Sequence, residues 1–517
     1  MLFNSYVFIF AFLPVVLTGF FLISLRSAHY ASLWLVAASV LFYGWWSLAY
    51  VPLLLSSVAF NYGAGYLIAR ASGGGPSKTL LVLAVCVNLA LLCVFKYSNF
   101  IVSIADSAGA HLRLLNIVLP IGISFFTFTQ IAFLVDVYRG RCREYNFMHY
   151  ILFVTWFPHL IAGPVLHHGQ MMPQFAKPAT YRLSFDALSV GLTLFAIGLF
   201  KKVVLADHFG LYSGSVYYAI DHGAKPMLID SWVGAVGYSL QIYFDFSGYS
   251  DMALGLSRLF NIKMPLNFNS PYKAENVIEF WRRWHMSLSA FLRDYLYVPL
   301  GGNRKGAIRR HLNLMITMLL GGLWHGASWN FVVWGGLHGV YLMVNHGWRA
   351  LTNAGRASGG RAGRGISVFV TFLAVVVAWV PFRAASFQSG MVMLRSMVGL
   401  NGISLPHKVA QYLGHGVSGA NVSYNGVITL KELQGADLLL PIDLSISIWL
   451  LAGLLIVWAL PNSQEWLANY APSLDATVAP ARAAWRPRVA VAVLMGVLLS
   501  VSILCIRQNS PFLYFQF

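Results

Sequence analysis

Two imidazoles stand out in this chain because of the residues around them. His285 lies in a charged, Trp-rich segment (Phe280–Gly306, FWRRWHMSLSAFLRDYLYVPLGGNRKG). His325, forty residues further on, lies in an apolar one (Leu319–Asn330, LLGGLWHGASWN). An ionisable side chain among Leu, Gly and Trp in a sequence of membrane-grade hydropathy is costly unless it is paired or lines a wet cavity, so it marks function by default. A neutral imidazole near pH 7 suits removal of a proton from a hydroxyl as that oxygen attacks an activated acyl group such as a thioester.

Periodicity suggests how His285 is presented. A helix over Phe280–Leu296 puts Trp281, Trp284, His285 and Leu288 on one face, with Arg282, Arg283, Arg293 and Asp294 on the others. Two readings stay open. In one, the helix lies at a membrane interface with Trp and Arg at headgroup depth. In the other, His285 points into a polar cavity while the guanidinium groups attract an anionic ligand such as coenzyme A, since guanidinium binds phosphate bidentately. Gly301-Gly302-Asn303-Arg304-Lys305 continues as a basic turn and lacks the GxxxxGK[ST] pattern of a phosphate loop.

His325 has Gly322 and Gly326 nearby, which permit close approach of backbone or substrate. Taken alone, a buried histidine of this kind is more simply a satisfied core residue, and His338 fits that role too. Asp245 and Asp251 fit the cap of an apolar helix end better than a pair of catalytic acids. Cys86 and Cys93, two turns apart on one apolar helix, read as small core residues. With Cys142 and Cys505 they form no CxxC, and neither a disulfide framework nor a metal site is expected. GxSxG and HExxH are absent, which removes support for serine-hydrolase and metalloprotease chemistry.

The elements that position these residues are membrane helices. The 517 residues are 58% hydrophobic and 10% charged, with a mean hydropathy of +0.66, against about 25% charged in an ordinary soluble domain. Thirteen apolar stretches recur along the chain: Tyr6–Leu22, Ala31–Trp46, Pro52–Ile68, Leu80–Phe95, Ile117–Val137, Phe147–Ala162, Ala187–Leu205, Trp232–Phe246, Leu312–Leu323, Phe331–Val344, Ile366–Val380, Leu444–Leu460 and Val489–Ile506. Several fall short of the ~20 residues a spanning helix needs, so about eleven spans are expected, with re-entrant pieces near Pro158, Pro164, Pro173, Pro265, Pro271 and Pro299. The first stretch lacks the basic n-region of a signal peptide and reads as a retained transmembrane helix.

The excess of 35 Lys and Arg over 17 Asp and Glu falls in short clusters between apolar runs, which excludes a soluble nucleic-acid module. Arg26, then Arg70 and Lys78, then Arg139, Arg141 and Arg143 occupy every second connection. The positive-inside rule makes those loops and Arg304–Arg310 cytoplasmic, and the N-terminus and the Phe387–Leu438 stretch periplasmic. The topology of 177–273 stays open. No internal repeat of the kind that supports alternating access is visible.

The two histidine segments together resemble the membrane-bound O-acyltransferase family, specifically its bacterial alginate O-acetylation branch. Leu119–Phe128 (LPIGISFFTF), Val135–Gly140 (VDVYRG), Leu160–Val165 (LIAGPV), Tyr243–Gly255 (YFDFSGYSDMALG), Trp379–Ala384 (WVPFRA) and Ser510–Phe517 (SPFLYFQF) extend the resemblance over nearly the whole chain. His159 departs from it, standing where Gln or a similar residue is expected before LIAGP. The resemblance implies a single all-α polytopic domain over 1–517, with a catalytic core at about 115–385, C-terminal helices at 440–510 and a ring of helices around a central tunnel thinned at its middle. It makes His325 the essential residue and His285 its partner, with Trp281, Trp284, Gly322, Trp324 and Gly326 lining the tunnel. It implies acetyl-CoA as donor, its phosphates near Arg282, Arg283, Arg304 or Lys305. The acyl group would pass across the bacterial inner membrane to a periplasmic SGNH-like acetyltransferase, or directly to an exopolysaccharide. Cellulose, peptidoglycan or teichoic acid are alternative polymers, and a polysaccharide or acyl-carrier transporter without a covalent step is the alternative of a different class.

Overall fold

The computed structural model describes residues 1–70, 77–142, 146–352, 360–404, 422–423, 444–475, 479–482, 484–507, 510 and 512–513. Among them the protein is helical, apart from a two-residue parallel pairing of Ile403 with Val422 and Ser404 with Ser423. The thirteen apolar stretches are largely helical, although Ile117–Val137 becomes so only at Ile123 and Phe147–Ala162 is divided between Phe147–Thr155 and Phe157–Leu160. The C-terminal Ser510–Phe517 motif lies mostly outside the described residues, as do Arg143 and most of the stretch expected to be periplasmic.

Among the described residues, four helices are long and apolar enough to cross a membrane: Leu48–Arg70, Lys78–Ser107, Phe185–Asp221 and Arg361–Arg383. A bent pair, Ser445–Ala459 and Ser463–Tyr470, adds a fifth if it acts as one span. Phe8–Ser24, Ala28–Gly44, Ile123–Tyr138 and Val489–Leu504 are apolar but shorter. Length and composition therefore support four or five spans, fewer than the expected eleven.

The 32-residue helix Leu228–Leu259 is buried along most of its length and carries too many polar residues to resemble a lipid-facing span. At its N-terminus the Asp230 carboxylate accepts the Met227 backbone N–H at 3.3 Å. At its C-terminus Asn261 takes the left-handed conformation (φ 58°). The N–H groups of Asn261 and Ile262 then close on the carbonyls of Arg258 and Ser257 at 2.9 and 3.0 Å, a Schellman arrangement that satisfies otherwise orphaned carbonyls. Small residues let the Phe185–Phe200 helix approach it closely: a Cβ on Gly198 would lie 2.5 Å from the Gly248 carbonyl oxygen.

Three expectations are corrected here. Asp245 and Asp251 do not cap a helix end but lie inside this helix, buried and ion-paired with Lys202 and Lys201. Cys86 is exposed on the outer surface of its helix and Cys93 is half-buried, because the inward face is held by Ala84, Asn88 and Leu92. The helix expected over Phe280–Leu296 is broken into Val277–Arg283 and Met286–Leu292. His285 sits at the break with φ 44° and ψ 53°. Long-range hydrogen bonds outcompete the helix there, with Asn269 N–H bound to the Arg283 carbonyl (2.9 Å) and Met286 N–H to the Asn267 carbonyl (3.0 Å).

Candidate active site

His325 is the last residue of the Gly306–His325 helix, and the chain leaves it through Gly326 in an extended conformation. A Cβ at Gly322 would fall 2.2 Å from the Phe331 carbonyl oxygen, and one at Gly326 would fall 2.0 Å from the Phe331 ring. These glycines thus allow the helix to pack on the next one, Trp329–Thr352. A larger residue at Gly322 would pry that pair apart. The His325 ring is enclosed by Trp334 (centroids 5.0 Å), Phe382 (5.4 Å) and Trp324 (5.0 Å).

The break at His285 brings the second imidazole to the first. Their ring centroids lie 6.4 Å apart, and both residues are buried, at 1% and 6% exposure for His285 and His325. Asn267, fully buried, grips the kink. Its side-chain oxygen accepts from His285 Nδ1 (3.1 Å), Ser287 Oγ (2.9 Å) and Ser287 N (3.3 Å), and its amide nitrogen donates to Ser250 Oγ (3.5 Å). Phe246 packs edge-on against the His285 ring at 4.8 Å. A left-handed conformation costs a non-glycine residue roughly 1–3 kcal/mol, and such strain persists only where the surroundings over-determine it, as Asn267 does here.

A cavity of about 610 Å³ reaches His325, with Trp45, Trp46, Lys96, Ser124 and Trp324 also on its wall. Of the residues expected to line a tunnel, Trp324 therefore borders this space. Gly322 and Gly326 are in the helix contact just described. Trp281 donates to His338 Nδ1 (3.3 Å), and Trp284 packs on Trp379 (4.9 Å). His338 is fully buried among Trp281, Trp334 and Phe280. His159 binds the Phe153 carbonyl through Nε2 at 2.9 Å, within its own bent segment.

The four cationic residues expected near phosphates are dispersed. Arg282, Arg304 and Lys305 are exposed, while Arg283 is half-buried and bound to Glu279 one turn back. Arg304 and Lys305 precede the 20-residue helix that ends at His325, so its axis separates them from the histidine by about 30 Å.

The family model for membrane-bound O-acyltransferases matches residues 78–380, more than half of the chain and both histidines. This chain belongs to the membrane-bound O-acyltransferase family. It is 42% identical over 435 residues to the peptidoglycan O-acetyltransferase of Helicobacter pylori, covering 79% of this chain and 81% of that one. It is 37% identical to the probable alginate O-acetylase AlgI of Pseudomonas aeruginosa and 38% identical to that of Azotobacter vinelandii, each over the full length of both chains. The protein is thus a membrane-bound acyltransferase, which removes the reading as a transporter without a covalent step.

Two polar residues beside the histidine pair are not singled out by the sequence motifs. Asn267 gave no local signal, because its role depends on a kink eighteen residues later. Lys96 does give one, as a cation deep inside the apolar helix Lys78–Ser107, but it lies one residue beyond the apolar stretch Leu80–Phe95. Its ammonium donates to the carbonyl oxygens of Trp324 and His325 (3.1 Å to the latter) and to Ser124 Oγ (3.3 Å).

Proposed function

We propose that this protein moves an acetyl group from cytoplasmic acetyl-CoA across the bacterial inner membrane to a periplasmic acceptor that O-acetylates an exopolysaccharide of the alginate type. The observation that carries the reading is the meeting of two buried histidines from separate segments at 6.4 Å, one of them on the wall of a cavity. His325 acts as the general base: it takes the proton of the acceptor hydroxyl while that oxygen attacks the thioester carbonyl carbon. His285, whose Nδ1–H is taken by Asn267 and whose Nε2 is therefore an acceptor, orients the reacting groups, and the new ester forms as the CoA sulfur leaves and takes up the proton. Arg282, Arg283, Arg304 and Lys305 attract the CoA phosphates at the cytoplasmic face. The acceptor is a serine of an SGNH-like periplasmic partner or a sugar hydroxyl. The remaining helices complete a ring of about eleven spans and re-entrant pieces around this centre.

Peptidoglycan is the second reading for the polymer, favoured by the 42% identity to a peptidoglycan O-acetyltransferase. Both readings, and the direction of transfer, are tested with [¹⁴C]acetyl-CoA on inverted and right-side-out membrane vesicles. Base-labile label should enter polymer only when the donor reaches the cytoplasmic face. Label released by muramidase assigns peptidoglycan, and label in muramidase-resistant polysaccharide assigns the first reading. Equal labelling from both faces would exclude a one-sided donor.

A further inference from the structure

The last four carbonyls of a helix have no partner within it and must find one elsewhere. For the helix ending at His325, three are met by two consecutive residues of one other helix. Tyr97 Oη donates to the Leu323 carbonyl at 2.9 Å, and Lys96 Nζ donates to the carbonyls of Trp324 and His325. The segment that presents them, Cys93–Tyr97, is a π-helical turn inside Lys78–Ser107. Such a turn inserts one extra residue, and π-bulges occur frequently at functional sites. The third donor of the ammonium goes to Ser124 Oγ, at the start of the Ile123–Tyr138 helix (3.3 Å). One side chain thereby ties three helices together beside the imidazole, on the wall of the cavity that His325 borders.

A cation at a helix C-terminus interacts favourably with the helix dipole. A cap alone, however, does not need an ammonium at this depth, since Tyr97 caps the neighbouring carbonyl with a neutral hydroxyl. Among the described residues the oxygens that Lys96 meets are two carbonyls and a hydroxyl, so the cost of partly burying a charge is not offset by a carboxylate. What the arrangement achieves is rigidity of the turn that carries His325.

We infer that Lys96 is a positioning residue for acyl transfer, holding the terminal turn of the Gly306–His325 helix so that the imidazole keeps its place on the cavity wall. The inference rests on the reading of His325 as the base. Misplacement of a reacting group by about 1 Å can cost 10²-fold in rate. Lys96→Met should therefore lower the maximal rate roughly 10- to 100-fold while leaving half-saturation by acetyl-CoA within about 2-fold. Tyr97→Phe, which removes one cap of three, should cost less.

The test uses the full chain in membranes, with [¹⁴C]acetyl-CoA as donor and base-labile polymer label per mole of epitope-tagged protein as readout. Lys96→Cys supplies an internal control, because 2-bromoethylamine converts it to a lysine isostere. Treatment should restore rate to that variant and leave wild type, with its own four cysteines, unchanged. A Lys96→Met protein with wild-type maximal rate overturns the inference, and so does a Lys96→Met loss expressed only in half-saturation. Should Lys96→Met fail to assemble, Lys96→Cys before and after aminoethylation decides in its place, and an unchanged rate is again fatal. His325→Ala, assayed in parallel, separates the two claims. If it stays active, the base assignment fails, whereas an inactive His325→Ala beside a fully active Lys96→Met removes only the role of Lys96.

Discussion

Two π-helical turns in this protein carry lysines withdrawn from solvent, Lys202 buried and Lys96 and Lys201 half-buried, and they treat the charge in opposite ways. In Lys201–Ala206, within the Phe185–Asp221 helix, each lysine meets carboxylates. Lys201 binds Asp251 at 2.6 Å, and Lys202 binds Asp207 at 2.8 Å and Asp245 at 2.7 Å. Ser463 donates to Asp251 (2.8 Å), and the Leu513 N–H to Asp245 (3.1 Å), so the acids are also hydrogen-bonded. In Cys93–Tyr97 the lysine meets neutral oxygens and borders a cavity. A buried charge that is fully paired serves as a structural tie between helices. One held by carbonyls next to an imidazole belongs to the site.

The largest effect should come from the site side of this contrast. His325→Ala removes the proposed base, and general base catalysis is worth about 10²–10⁴-fold. Transfer should fall by at least that lower bound while the detergent-extracted protein elutes and melts as wild type. Substantial acylation by a correctly inserted mutant would falsify the assignment.

The paired lysines should behave in the reverse manner, through stability. Lys202→Met leaves Asp207 and Asp245 without their cation in a site where the lysine side chain is 3% exposed. Breaking a buried pair by removing one partner typically costs about 3–5 kcal/mol. Thermal unfolding in detergent should show a large drop in midpoint, and Lys202→Met combined with Asp207→Asn and Asp245→Asn should recover part of it. If the single mutant melts with wild type, these carboxylates do not depend on Lys202 and the contrast collapses.

Asn267 should fall between the two. Asn267→Ala strands the Ser287 N–H and hydroxyl and the His285 Nδ1 contact, and each buried group left unsatisfied costs about 1–3 kcal/mol. The left-handed backbone of His285 then loses its restraint, so activity should drop roughly 10-fold alongside a modest loss of stability. Activity that tracks the folded fraction alone would show that Asn267 supports the fold without orienting His285.

The sequence disclosed the helices and the two histidines for the same reason: both signals are local. Apolar runs announce helices, and an imidazole among Leu, Gly and Trp announces itself. What remained hidden was set by partners distant in the chain. The helix over Phe280–Leu296 looked continuous because periodicity does not report Asn267, whose hydrogen bonds break it at His285. Asp245 and Asp251 looked like caps because Lys201 and Lys202 lie more than forty residues upstream. Of the close approaches that Gly322 permits, the one in the structure is to backbone, the Phe331 carbonyl, whose place is set by the next helix. Lys96 was legible as an intramembrane cation, yet its carbonyl partners lie well over two hundred residues away.

The smallest effect concerns the exposed cations. Arg304 and Lys305 lie before the helix that ends at His325, about 30 Å from it along the axis. At physiological ionic strength exposed charges are screened over about 8 Å, so these residues cannot act on the reacting atoms. Under the proposed function the role left to them is capture of the anionic donor at the surface, where a charge raises encounter frequency and local concentration. Arg304→Ala combined with Lys305→Ala should raise half-saturation by acetyl-CoA a few-fold at low salt and leave the maximal rate unchanged. Raising the salt to about 0.5 M should erase the difference by screening the wild-type charges as well. Arg283, already bound to Glu279, should matter less than Arg282, which is exposed. A fall in maximal rate in the double mutant, or a half-saturation indifferent to salt, would mean that the donor phosphates are held elsewhere.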